Sequence, residues 1–185
     1  MEHMKFWDII ELDFCFKLVG TTWVFEIKKD HNNNIIEQKA RLCAQGFTQT
    51  PGIDFDKTFA PTGRFNSLCT LIAFAANTHL NFHQINFRSA ILNAPLTETV
   101  YLSTPQGLNQ DQKEKFLFLN KAIYGLKQAP LAWYERLKNW LITVNFKCYT
   151  LAPCVLFCSD REATWIYVHV GDIAIFSSDF DALKS

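Results

Sequence analysis

The stretch Thr164-Trp165-Ile166-Tyr167-Val168-His169-Val170-Gly171-Asp172-Ile173-Ala174-Ile175-Phe176 decides the fold class of this 185-residue chain. It contains two runs rich in β-branched and aromatic residues, 164–170 and 173–176, which are separated by Gly171 and Asp172 alone. Glycine at the first central position of a two-residue loop is typical of a type II′ turn. The pattern therefore predicts a tight β-hairpin with a single carboxylate, that of Asp172, at its tip.

Upstream of this hairpin, strand and helix patterns alternate. Residues 21–29 place Trp23, Phe25 and Ile27 on one face, which predicts a half-buried strand. An Asp- and Asn-rich turn at 30–34 and a returning strand at 35–45 would complete a long hairpin. A helix is predicted at 66–80, capped by Asn66 and Ser67. The shorter predicted elements are strands at 81–87, 100–102 and 116–119, a helical turn at 88–93 and a polar turn at 111–114. A second helix is predicted after Pro130, with an apolar stripe of Trp133, Leu137, Trp140, Leu141 and Val144. This order favours an α+β fold, with helices on one face of an antiparallel sheet.

Composition excludes several classes of protein. The chain is 49% apolar and 19% charged, which supports a packed core and argues against disorder. Eighteen basic and eighteen acidic residues cancel, so the basic balance of a self-sufficient nucleic-acid-binding protein is missing. No run reaches the roughly 18 apolar residues of a membrane span, and residues 1–8 lack the apolar part of a signal peptide. We therefore expect an intracellular protein, cytoplasmic or nuclear and not secreted, without a membrane partner.

Two pairs of polar residues carry little functional signal. Asp54 and Asp56 lie in a loop rich in Gly and Pro, and we expect them to be solvated surface carboxylates. His79 and His83 have the spacing of a zinc-binding helix, but the predicted helix ends between them, so both are interpreted as structural.

Five segments together resemble the reverse transcriptase of copia-type long-terminal-repeat retrotransposons. They are GTTWVF at 20–25, KARLCAQGFTQ at 39–49, TFAP at 58–61, IYGLKQAP at 123–130 and the terminal hairpin. Each is a weak signal by itself, whereas five in this order over about residues 7–185 are specific. The resemblance implies the fingers and palm of a right-hand polymerase, with a ferredoxin-like antiparallel sheet in the palm. It assigns 1–65 and 95–130 to the fingers and 66–94 and 131–185 to the palm, with the thumb absent.

The resemblance also implies a chemistry. RNA-directed DNA polymerases extend a primer on an RNA or DNA template with deoxynucleoside triphosphates (dNTPs), and Mg²⁺ is the expected cofactor. The family holds its metal ions with three aspartates, whose positions here correspond to Asn86, Gly171 and Asp172. Only Asp172 is retained as a catalytic residue and metal ligand. A unit charge about 4 Å from its partner contributes roughly 4 kcal/mol at an effective dielectric of 20, so the loss of two carboxylates predicts impaired catalysis.

Other positions are assigned to the nucleotide by resemblance. Lys39 and Arg41 lie two apart on a predicted strand and would share the face that cradles the triphosphate. Gln128 matches a residue that packs on the nucleotide. Ile91 stands where the family has an aromatic residue that excludes the ribose 2′-hydroxyl, and Glu26 replaces a usual lysine.

Three functions remain open from the sequence. The chain is an impaired polymerase fragment, an active polymerase with non-standard metal ligands, or a non-catalytic nucleic-acid-binding remnant that presents cations to a phosphate backbone. In each case the remainder of a retrotransposon polyprotein is the expected partner.

Overall fold

A computed structural model of the chain describes residues 5–11, 16–107, 115–159 and 164–178. The mixed α+β class is confirmed, whereas the polar turn predicted at 111–114 lies outside the described residues. In the part described, no helix is long and apolar enough to cross a membrane. The elements are β1 Trp7–Glu11, β2 Leu18–Val19, β3 Thr21–Lys29, β4 Ile35–Ala44, α1 Phe65–Thr78, β5 Asn81–Asn86, β6 Tyr101–Ser103, β7 Lys115–Leu119, α2 Ala129–Thr143, β8 Lys147–Tyr149, β9 Ala152–Cys158, β10 Thr164–His169 and β11 Asp172–Ser177.

The chain divides into two compact units. The first comprises residues 1–58 and 91–132, and the second comprises 59–90 and 133–185. In the first unit, a four-stranded sheet has the order β1-β7-β6-β2, with only the β2–β6 pair parallel among the described strands. Val19, Leu102 and Leu117 are fully buried in this unit.

The first unit also contains the two-stranded antiparallel hairpin of β3 and β4. Its turn forms as predicted, because the Asp30 carboxylate accepts hydrogen bonds from the backbone N–H groups of Asn32 and Asn34. The prediction that β3 is half-buried is wrong, since Phe25 is 74% exposed and Ile27 56% exposed. The apolar alternation in 21–29 correctly predicted a strand. Burial of one face requires a second layer, however, and a two-stranded ribbon does not provide one by itself.

Two of the sequence motifs pack against each other through glycine. A Cβ atom on Gly46 would lie 2.0 Å from the Gly125 carbonyl oxygen, and one on Gly125 would lie 2.1 Å from the Ala44 carbonyl oxygen. Gly125 also has a φ of +91°, which side-chain-bearing residues rarely adopt. The Gln49 side chain joins the same motifs: its amide N–H donates to Gln128 Oε1 at 3.0 Å, and its Oε1 accepts from the Lys127 N–H at 2.8 Å.

The expectation that Asp54 is a solvated surface carboxylate is wrong. Asp54 is only 5% exposed, and its Oδ2 lies 2.7 Å from Lys17 Nζ. The Thr50 N–H donates to the same oxygen at 2.6 Å. Lys17 and this N–H together outweigh the opposing effect of desolvation and hold the pKa of Asp54 below its usual value. Asp56 is exposed, as expected.

The second unit is built on a five-stranded antiparallel sheet of order β5-β11-β10-β9-β8. Leu71 and Ala75 of α1 belong to a core cluster with Tyr167 and Phe176 on one face of this sheet. Side chains of the other face, such as that of Ile166, are buried as well. The placement of both helices on one face stays a prediction.

Helix boundaries differ from the sequence prediction in detail. The N-cap of α1 is Arg64, without a side-chain capping bond, so Asn66 and Ser67 lie inside the first turn. The C-cap is His79, in the left-handed conformation. In α2, Trp133, Leu137 and Leu141 are buried whereas Trp140 is 57% exposed, because the buried row follows four-residue steps and Trp140 lies beside that row.

The terminal hairpin forms, but its turn lies one residue earlier than predicted. His169 pairs with Asp172, so the two central residues are Val170 and Gly171. Val170 takes a φ of +55°, an uncommon conformation for a β-branched residue. The shift has a physical reason outside the hairpin: Asp172 pairs with Asn86 in the β11–β5 ladder and therefore belongs to the strand.

Candidate functional site

The β5–β11 ladder brings together the positions that the sequence assigned to metal ligands. Asn86 and Asp172 are direct cross-strand partners, and Asn86 Nδ2 donates to Asp172 Oδ1 at 2.6 Å, at an exposed position. Gly171 precedes Asp172, and its carbonyl oxygen accepts from the Phe87 N–H at 2.8 Å. All three positions thus converge at one end of the sheet. Their catalytic roles stay predictions.

An apolar cavity of about 390 Å³ opens beside this end of the sheet. Side chains of α1, among them Phe65 and Leu68, line it together with Tyr167 of β10, and Asp172 and His169 supply polar groups. His169 Nδ1 lies 3.3 Å from the Gly63 carbonyl oxygen. The Asp172 carboxylate therefore borders an apolar wall and accepts a hydrogen bond from the Asn86 amide.

The donor set does not fit a Mg²⁺ site. Mg²⁺ requires oxygen ligands and anionic charge, usually from carboxylates. Here Asp172 is the sole carboxylate of the three positions, Gly171 contributes no side chain, and the Asn86 amide directs an N–H donor at the carboxylate oxygen that an ion would need. Among the described residues, no group of three or more His, Cys, Asp and Glu side chains is arranged to hold a metal ion.

The assigned triphosphate-binding residues lie in the first unit, on the β3–β4 hairpin. Arg41 Nη1 lies 2.6 Å from Glu26 Oε2, and Lys39 Nζ lies 3.2 Å from Glu37 Oε2. Lys28 Nζ lies 3.5 Å from the same Glu37 oxygen. Both assigned cations are thus already paired with carboxylates of their own hairpin.

These ion pairs lower the pKa values of the carboxylates. The hydrogen bond from Arg41 lowers the pKa of Glu26, and the hydrogen bond from Lys39 lowers the pKa of Glu37. Both side chains stay ionised at neutral pH. From the sequence, Glu26 was interpreted only as the replacement of a usual lysine, and these pairs were not predicted. Charges of alternating sign along two paired strands are a signal for them.

Gln128 and Ile91 have surroundings that the sequence did not predict. Gln128 is 3% exposed, and its side-chain amide accepts from Gln49 and donates to the Asp54 carbonyl oxygen at 3.0 Å. These bonds give it a structural role in the 46–56 loop, which sequence reasoning missed. Ile91 is partly buried in a 3₁₀ turn, Ala90–Asn93. Contacts of either residue with a nucleotide stay predictions.

Comparison with known proteins gives one family and several relatives. The family model described as reverse transcriptase (RNA-dependent DNA polymerase) matches residues 4–185. The chain is 37% identical over 170 residues to the Retrovirus-related Pol polyprotein from transposon RE2 of Arabidopsis thaliana, which covers 90% of this chain and 12% of that protein. It is 33% identical over 174 residues to the corresponding polyprotein from transposon TNT 1-94 of Nicotiana tabacum, covering 92% of this chain and 13% of that protein. The Transposon Ty1-NL2 Gag-Pol polyprotein of Saccharomyces cerevisiae is 29% identical over 181 residues, with 97% and 10% covered. The chain therefore spans only about a tenth of the length of these relatives, and no solved structure matches it.

Proposed function

Because the chain belongs to the reverse transcriptase (RNA-dependent DNA polymerase) family, of the copia type, we propose that it is the fingers and palm portion of a retrotransposon polymerase with an impaired metal site. The resemblance found in the sequence is confirmed at the level of the family.

The division of the chain supports the assignment of fingers and palm. Two segments, 1–58 and 91–132, form one unit, and the two alternating segments form the other. The second unit contains the five-stranded antiparallel sheet and the terminal hairpin that a palm requires. The first contains the long β3–β4 hairpin proposed for the fingers.

A single observation carries the proposed impairment: Asp172 is the sole carboxylate of the three positions, and its Oδ1 already accepts a hydrogen bond from the Asn86 amide at 2.6 Å. With three carboxylates at these positions, the site would repel itself and be stabilised by cations. With one carboxylate, a cation meets a single negative charge and must compete with the Asn86 amide for Oδ1 of Asp172, so it gains less from entering. Since phosphoryl transfer depends on stabilising charge, few other groups could compensate for that loss.

The remaining roles follow the family. Lys39 and Arg41 would bind the triphosphate of the dNTP, and Gln128 and Ile91 would lie near the nucleotide. The proposed partners are an RNA or DNA template–primer and the remainder of the polyprotein, in an intracellular location. Mg²⁺ is the cofactor of the family, and its binding here is proposed to be weak.

Primer extension tests the proposal. The chain, the double variant Asn86→Asp/Gly171→Asp and the control Gly171→Asn would each be joined to the downstream polymerase region of an active relative. The control has the same side-chain shapes as the double variant without its two added charges. We expect extension with Mg²⁺ only from the double variant. Comparable extension by the unaltered chain would instead show an active polymerase with non-standard ligands.

A further inference from the structure

We propose that the β3–β4 hairpin limits its own affinity for polyphosphate, because Glu26 and Glu37 act as internal anions that occupy Arg41 and Lys39. This inference rests on the proposed function, in which these two cations bind the triphosphate of a nucleotide. It adds two residues that determine how tightly the site binds and that no family role assigns.

The register of the hairpin places five charged side chains on one face. Glu26 is the cross-strand partner of Lys39, and Lys28 is the partner of Glu37. Arg41 lies two residues beyond Lys39, on the same face of β4. The face therefore carries three cations and two anions, and each anion lies within 3.5 Å of at least one cation.

The contact of Arg41 with Glu26 is the strongest of these interactions. Its N···O distance of 2.6 Å is that of a short charge-assisted hydrogen bond. The guanidinium also lies 6.0 Å from the centre of the Tyr124 ring, a contact that does not depend on Glu26. Removing the Glu26 charge should therefore leave Arg41 in place and make its N–H donors available to another anion.

Two effects set the expected gain in triphosphate affinity when Glu26 loses its charge. An incoming triphosphate must break the partly exposed Arg41–Glu26 pair, which weakens binding by up to about fivefold. The remaining carboxylate then repels the polyanion from within the distance at which salt screens charges, about 8 Å at physiological ionic strength. Together they predict an increase of about tenfold in affinity when Glu26 loses its charge, and the increase should shrink as salt is added.

The test is calorimetric titration of the full chain with inorganic tripolyphosphate, at low ionic strength and without divalent cations. Glu26→Gln should bind about tenfold more tightly than the unaltered chain, and Glu37→Gln should show a smaller increase. The matched control is Glu11→Gln, which removes a carboxylate paired with Lys115 at 3.5 Å on the β1–β7 sheet of the same unit. Its affinity should stay within about twofold of the unaltered chain, because it changes net charge equally but lies on another surface.

The outcomes separate this inference from the proposed function. An unchanged affinity in Glu26→Gln, or an equal rise in Glu11→Gln, would overturn the inference. If Arg41→Ala still weakened binding in the unaltered chain, the triphosphate role of the hairpin would survive that failure. If no variant bound tripolyphosphate, both the inference and the role of Lys39 and Arg41 would be wrong. Loss of the tighter binding in Glu26→Gln/Arg41→Ala would support both.

Discussion

The double variant Asn86→Asp/Gly171→Asp should turn a site with one carboxylate into a cation-dependent one with three. In the chain as it stands, the Asn86 N–H donates to Asp172 across β5 and β11. The double variant replaces that hydrogen bond with facing carboxylates and adds a third at the turn. A Cβ at position 171 would lie 3.3 Å from the Phe87 carbonyl oxygen, so the added side chain requires only a small local adjustment.

The double variant should be less stable than the unaltered chain without divalent cations, and Mg²⁺ should stabilise it. Without divalent cations, losing the hydrogen bond costs about 1 kcal/mol. Repulsion between two carboxylates about 4 Å apart in water adds about 1 kcal/mol. For a chain of this size, Tm should then fall by roughly 4–8 °C. With Mg²⁺, each added carboxylate contributes about 2 kcal/mol even at the dielectric of water, which together amounts to about a thousandfold tighter binding.

Thermal unfolding in EDTA and in a Mg²⁺ series measures both effects, and calorimetry measures the affinity directly. Binding to the folded state alone raises Tm with ligand concentration. The control Gly171→Asn keeps the side-chain shapes without the charges and should show neither the destabilisation in EDTA nor the recovery with Mg²⁺. If the unaltered chain bound Mg²⁺ as tightly as the double variant, the reasoning from charge and from the Asn86–Asp172 contact would be refuted.

Three further predictions concern stability. Because the pKa of Asp54 is lowered in the folded state, its contribution to the free energy of unfolding is present above the unfolded-state pKa of about 4 and is lost as pH falls through the lower folded value. In urea unfolding, Asp54→Asn should therefore lose less stability between pH 7 and pH 2 than the unaltered chain. An equal loss would contradict this. Gly125→Ala should lower the free energy of unfolding by more than about 2 kcal/mol in the same assay, because the added Cβ would clash with Ala44 and the residue would keep its positive φ. The control Gly107→Ala has a similar φ of +92° with nothing within 4 Å, so it should show only the cost of the positive φ. Similar losses in the two variants would exclude the clash. Val170→Gly should raise the free energy of unfolding by about 1 kcal/mol by relieving the left-handed φ at the hairpin tip, and a decrease would argue against strain there.

Local patterns predicted most of the regular elements. The apolar alternation of 21–29 and 164–170 and the turn residues at 30–34 lie where the structure has two hairpins. Burial was predicted less well, since the alternation of Trp23, Phe25 and Ile27 shows only that they share a face. Whether another layer covers that face depends on residues far away in the sequence. Asp54 was predicted to be exposed and is buried instead, because its carboxylate pairs with Lys17, a residue 37 positions away.

The sequence by itself determined the family, because membership depends only on which residues occupy which motif positions. It also shows that positions 86 and 171 carry Asn and Gly. The tertiary structure decided what each polar side chain contacts. Only the β5–β11 register places the Asn86 amide on Asp172, 86 positions along the chain. Only the β3–β4 register, in which Glu26 faces Lys39, brings Arg41 diagonally within reach of Glu26. Hydrogen bonds and ion pairs act over a few ångström, so such contacts exist only once non-local strand pairing has fixed which side chains face each other.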